Sequence, residues 1–174
     1  HNVFTSAELL NKALADKNWF SAAGGSLPAG GHGASGGEVT TWQFKDDVKM
    51  SDRPESQEIN IDFGNKDFAV AWKYNKVSNS YARFQVGRDV ELSAKNLVLM
   101  FVDIIVKDKV GRREVKIIGT GNASVFLDGK TIKAKWQKID KGRTIFYDEA
   151  GNEVKFNRGA SWVEVVDDSV KVVY

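Results

Sequence analysis

The chain has 174 residues, 42% hydrophobic and 28% charged, with 25 Lys and Arg against 23 Asp and Glu. That suits one globular domain, or one with an appended element; it is too rich in core-forming residues for disorder and too near neutrality for a dedicated nucleic-acid binder. With no cysteine and two histidines, thiolate metal sites, iron–sulfur clusters and Cys nucleophiles are excluded, and little remains for His-based catalysis; no cofactor is expected.

Thr5-Ser6-Ala7-Glu8 reads as a capping box, with Phe4 placed to staple onto Leu9. Leu9, Leu10, Ala13 and Leu14 recur at helical spacing, which predicts one short helix over Ser6–Asp16. The Gly-rich stretch Ala22–Gly37 reads as a loop, because glycine loses much backbone entropy on ordering and buries little. Residues 1–38 are therefore expected as a helix and loop appended to the same domain, and 39–174 as an antiparallel β domain.

From Thr40 the pattern is of strands. Glu58–Phe63 alternates polar and apolar at period two, and Phe68, Val70, Trp72 and Tyr74 share one face, so the two segments predict a hairpin around Gly64-Asn65-Lys66. Val77–Val86 contains a further strand with Tyr81 and Arg83 on one side. Leu97–Val106 is nearly continuous apolar, as in a central strand covered on both faces. Glu114–Ile118 and Ala123–Leu127 read as two strands split by Gly119-Thr120-Gly121, taken as a bulge or turn. Asp128-Gly129 is a type I′ hairpin signal, after which Ile132, Ala134 and Trp136 alternate with Lys133, Lys135 and Gln137. Arg143–Tyr147, Glu153–Phe156, Ser161–Val166 and Val170–Val173 complete the series. About nine or ten short strands at this spacing, without crossover helices, predict a mainly β fold: an antiparallel sandwich or partly closed barrel with one N-terminal helix.

Several segments carry a resemblance. They are Tyr81-Ala82-Arg83-Phe84 with Gly87; Ala94-Lys95-Asn96-Leu97-Val98-Leu99; Gly119-Thr120-Gly121 through Asp128-Gly129-Lys130; Trp136; Tyr147-Asp148-Glu149-Ala150-Gly151; and Gly159-Ala160-Ser161-Trp162-Val163. In order and spacing they resemble the C-terminal part of the YerB-like lipoproteins, a bacterial family of unknown function, most clearly over residues 78–166. His1-Asn2-Val3-Phe4-Thr5-Ser6 resembles the stretch joining that family's two halves. The resemblance implies a full-length protein with a lipoprotein signal and an N-terminal domain, held outside the cytoplasmic membrane. Contact with the membrane would be only through a lipid anchor outside this chain. Many relatives carry a His and an Asp after the glycine matching Gly87; this chain reads Arg88-Asp89, so only the Asp aligns.

Two groups of residues are candidate ligand contacts. Tyr81, Arg83, Arg88, Asp89 and Asn96 gather polar groups around a central strand, where Arg offers a planar fork to carboxylate or phosphate. Their structural alternative has Arg83 paired with Asp89 or Asp103 and Asn96 bonded to a turn. Lys133 and Lys135 project from one strand face within Lys130–Arg143, which carries six basic residues against Asp140. Such a face suits an anionic polymer, a teichoic acid or nucleic acid, or else is a solvated face that discourages edge pairing. Trp42, Trp72, Trp136 and Trp162 read as core rather than as a stacking platform. Asp103 reads as reaching water near a strand end. The acid pairs Asp46-Asp47 and Asp167-Asp168 lack the spacing of a Ca²⁺ loop, and no metal site is expected. The leading functional expectation is a non-catalytic binding or scaffolding region of an envelope lipoprotein, whose partner would be the family's N-terminal domain or an envelope polymer or protein. The alternatives are an anionic-polymer binder and a wall-polymer hydrolase using Asp89 or Asp103.

Overall fold

A computed structural model describes residues 41–174, apart from Val86, Lys141 and the side chains of Arg88, Asp89, Val90 and Glu91. The predicted helix over Ser6–Asp16 and the Gly-rich stretch lie outside the described residues. The strands are β1 Phe44–Lys45, β2 Glu58–Asp62, β3 Val70–Asn75, β4 Ser80–Gln85, β5 Arg88–Ala94, β6 Asn96–Phe101, β7 Ile104–Val106, β8 Arg113–Val115, β9 Gly119–Leu127, β10 Lys130–Lys138, β11 Ile145–Asp148, β12 Phe156–Asn157, β13 Ser161–Val166 and β14 Lys171–Val173. Two five-stranded sheets dominate, in the orders β11-β10-β9-β6-β13 and β14-β2-β3-β4-β5, with two short pairs β1-β12 and β7-β8. The fold is mainly β, as expected. Most ladders are antiparallel, but β13 runs parallel to β6 from Ser161↔Asn96 to Val166↔Phe101, and β1 runs parallel to β12.

Period-two alternation sorts the side chains into two cores on opposite faces of the first sheet. Leu97, Leu99 and Phe126 point toward the second sheet and pack with Ile59, Ile61, Trp72, Tyr74 and Tyr81. Val98, Met100, Val125, Ala134 and Trp136 point the other way and pack with Phe146, Val154 and Phe156. Strand β6 is thus buried on both sides, which is why Asn96–Met100 reads as an unbroken apolar run after its first residue.

Several boundaries differ from the sequence reading: β5 falls outside the expected strands, Phe68 lies exposed in a 3₁₀ turn before β3, and the strand expected over Glu153–Phe156 is Phe156–Asn157. The apolar run Leu97–Val106 is two strands, because the chain leaves the ladder at Val102-Asp103; Asp103 is exposed there, as read. Gly119-Thr120-Gly121 does not split two strands but opens the nine-residue β9, where Gly121 lets Trp136 lie across the backbone and donate from Nε1 to the Phe101 carbonyl (2.7 Å). The strand expected over Glu114–Ile118 is Arg113–Val115, paired among the described residues only with β7, leaving Ile117 and Ile118 exposed beyond it. The Asp128-Gly129 turn has positive φ at both residues (55° and 69°), as type I′ requires, and closes the β9–β10 hairpin.

Candidate functional site

The second sheet covers only part of the first. On the face it leaves open, β9, β10 and β11 place cross-strand partners side by side: Lys133 beside Ser124, and Lys135 between Asn122 and Tyr147. Because side chains alternate, Ala134 and Trp136 go into the core while Lys133 and Lys135 stay exposed. These residues line a cleft of about 740 Å³, walled by Phe101 and the C-terminal Tyr174. Tyr174 is held there by an edge contact with Phe126 (ring centroids 5.0 Å apart) and by its hydroxyl 3.2 Å from Ser124 Oγ. Among the described residues neither Lys133 nor Lys135 forms an ion pair. The cleft also carries Asp148 and Glu149. Asp148 is committed to its own turn, its Oδ1 accepting from the amides of Ala150 and Asn152. The arrangement offers two ammonium groups, amides, hydroxyls and two phenol rings on one floor, with the carboxylates of Asp148 and Glu149 in the same cleft; the ammonium, amide and hydroxyl groups are those that hold polar, negatively charged chains.

The other sequence-predicted residues are not brought to this cleft. Tyr81 is fully buried: its hydroxyl donates to Gln57 Oε1 (3.0 Å) and accepts from the Gly129 amide (3.1 Å), and burial pushes its phenol far above the ordinary tyrosine range. Asn96 is also fully buried and bonds β12 and β13 on either side of the Arg158-Gly159 turn. Its Nδ2 donates to the Asn157 carbonyl (2.9 Å) and Ser161 Oγ (3.0 Å), and its Oδ1 accepts from the Asn157 amide (2.8 Å). Neither has a polar atom left for a ligand. Arg83 stands on β4 and lines a different cleft; it pairs with Gln85 Oε1 (2.9 Å) and lies over the Trp162 ring, not against Asp103. Arg88 and Asp89 lie on β5, opposite the end of β4. Asp103 and Asp168 line a smaller cleft of about 230 Å³ beside Lys116. Trp72 and Trp136 are core, and Trp42 packs on Phe156 with ring centroids 4.9 Å apart. Among the described residues there is no group of three or more His, Asp or Glu that could hold a metal; Asp46 and Asp47 are taken up by Arg158 and by Lys95.

Sequence reading missed the polar centre beneath these surfaces. Asp128, 3% exposed, accepts from Lys45 Nζ (2.5 Å), Asn79 Nδ2 (2.7 Å) and Asn157 Nδ2 (2.8 Å), while Lys45 also donates to Asn157 Oδ1 (2.7 Å). Burial alone would raise the Asp128 pKa, but these hydrogen bonds and the Lys45 charge outweigh it and hold the carboxyl below the ordinary range. Every member has partners from distant parts of the chain, so the centre fixes the fold rather than offering open chemistry. Tyr147 and Tyr174 were likewise missed, because only the pairing of β10 with β11 and the turn of β14 bring them beside the lysines.

The chain matches the family described as "Protein of unknown function (DUF3048) C-terminal domain" over residues 59–163. It is 24% identical over 123 residues to "Putative lipoprotein YerB" of Bacillus subtilis (strain 168), covering 66% of this chain and 37% of that protein. Its fold is similar to the crystal structure of the YerB protein from Bacillus subtilis, with a TM-score of 0.67 at 19% identity, covering 98% of this chain and 55% of that one. The chain thus spans 37% to 55% of the length of these relatives. The match runs from β2 into β13 and so takes in strands of both sheets and the core between them, and the chain belongs to this C-terminal domain family of unknown function.

Proposed function

We propose that the chain is a non-catalytic binding module of a bacterial envelope lipoprotein, held outside the cytoplasmic membrane in its full-length form, and that it binds an anionic envelope polymer across the β9–β10–β11 cleft. The family relation and the relative's printed name support the envelope setting. The observation that carries the ligand class is the pair Lys133 and Lys135, without ion-pair partners among the described residues, set over a floor of amide, hydroxyl and phenol groups. A repeating phosphate polymer such as a teichoic acid meets such a floor with charge on the ammonium groups and its sugar or polyol face on Tyr147 and Tyr174.

The test is binding of purified wall teichoic acid, followed by thermal shift and titration at several salt concentrations. A ligand at 100 times its Kd adds about 2.7 kcal/mol of stability. Affinity is expected to fall steeply with salt, and Lys133→Glu with Lys135→Glu is expected to abolish binding at moderate salt. Binding that ignores salt, or that survives the double charge reversal, overturns the reading.

A further inference from the structure

A second cleft, of about 490 Å³, lies at the rim of the second sheet beside the β13–β14 connection. Its principal polar group is Arg83. On β4 it sits opposite Trp72 and Leu92, so its side chain leaves the strand on the face that packs between the sheets. Among the described residues its guanidinium makes only neutral contacts: Nη1 donates to Gln85 Oε1 (2.9 Å), and Cζ lies 5.6 Å from the Trp162 ring centroid. Its Nε is buried and has no acceptor among the described residues. Among the described residues no carboxylate pairs with it. Arg143 makes the contrast: its Nε is also without a partner, but its charge is met by both oxygens of Glu153 at 2.8 and 3.1 Å.

A guanidinium that has shed water from one donor and gained no counter-charge is poised for an oxyanion, which takes two N–H groups of the planar fork at once. Arg113 lines the same cleft. Asp167, the cleft's carboxylate, is engaged by its own loop through the amide and hydroxyl of Ser169. Among the described residues that line the cleft, two cations against one anion leave one positive charge unmatched. The remaining walls, Phe63, Phe68, Val70 and Val170, are apolar, and Phe68 stands 56% exposed. A bare inorganic ion would leave that surface wet.

We propose that this cleft binds a small organic anion, a carboxylate or phosphate monoester carrying an aromatic or short aliphatic body, with its oxygens on Arg83 and Arg113 and its apolar part against Phe68 and Val170. The site is separate from the lysine cleft and does not rest on the polymer reading.

The test follows the Arg Nε–Hε resonances of the ¹⁵N-labelled full chain during titration with phenyl phosphate and with phenylacetate. Inorganic phosphate and benzyl alcohol serve as the charged and apolar halves alone. The Arg83 resonance is expected to shift saturably with both organic anions, with affinity about tenfold above either half. Arg83→Lys keeps the charge but loses the fork, and is expected to weaken binding at least several-fold. Arg113→Gln, at an exposed position on β8, is expected to weaken it similarly without touching the core, so the result does not depend on how well the Arg83 variant folds. Lys133→Glu with Lys135→Glu should leave it unchanged. An Arg83 resonance that stays still up to about 20 mM ligand, or that moves equally with benzyl alcohol, overturns the proposal.

Discussion

Asp128 is where the most separate parts of the chain meet. Its carboxylate joins the β9–β10 turn to Lys45 on β1, Asn79 before β4 and Asn157 on β12, and Tyr74 extends the chain of bonds by donating to Asn79 Oδ1 (2.7 Å). Replacing it with Ala takes the acceptor from two buried amides, Asn79 and Asn157, and the counter-charge from the partly exposed Lys45. Asp128→Ala is therefore expected to cost about 3 kcal/mol in urea unfolding, the usual cost of breaking one side of a buried pair. The pH dependence has a definite sign. The folded carboxyl titrates below the unfolded one, so its contribution is complete above the ordinary aspartate value of about 4 and is lost as pH falls through the folded pKa. Stability measured from neutral pH downward should decline below about pH 4, and Asp128→Asn should flatten that decline. The sequence shows Asp128 as a turn residue and nothing more. Its role depends on Lys45 and Asn157 coming together across parallel strands, which no local pattern announces. Lys133 and Lys135 were legible because exposure follows directly from alternation with Ala134 and Trp136.

At the scale of elements, two glycines test different constraints. At Gly121 the backbone is ordinary, but a Cβ would overlap the Trp136 indole nitrogen and sit 2.8 Å from the Phe101 carbonyl oxygen. Gly121→Val should break the Trp136–Phe101 bond and destabilise by about 1–3 kcal/mol through overpacking, readable as altered Trp fluorescence and a lower urea midpoint. At Gly129 the backbone is left-handed and a Cβ would also lie 2.5 Å from Pro54 Cγ and Tyr74 Cε1. Gly64 has a similar φ of +79° with nothing within 4 Å. Gly64→Ala should therefore cost only the backbone strain of about 1–2 kcal/mol, and Gly129→Ala distinctly more. The hairpins β2–β3 and β9–β10 were readable because turn residues and period two agree over short distances. The start of β9 was not: two glycines look like punctuation until Trp136, paired opposite Gly121, supplies the reason for the absent side chain.

For the molecule as a whole, the mainly β architecture was legible and the division into two cores was only hinted at by the unbroken apolar run of β6. The clefts were not legible at all, since each gathers residues from strands whose neighbours are set by sheet order. Because Lys133 and Lys135 are exposed and unpaired among the described residues, their joint replacement by Glu should leave the thermal midpoint within about 0.5 kcal/mol of equivalent stability. The same protein should then lose polymer binding, and a stable but non-binding variant would separate a contact surface from a folding requirement.

The parallel pairing of β13 with β6 also governs when the sheet can form. Hairpins such as β9–β10 close over a two-residue turn, but β6 must wait for a partner that lies beyond residues 102–160. Until then the most apolar strand in the chain carries one open edge, the condition in which strands recruit wrong partners. Pulsed hydrogen exchange during refolding should protect the amides of β9 and β10 before those of β13. A chain cut before Ser161 should aggregate through that edge, so the last strands act less as trim than as the step that makes the earlier ones safe.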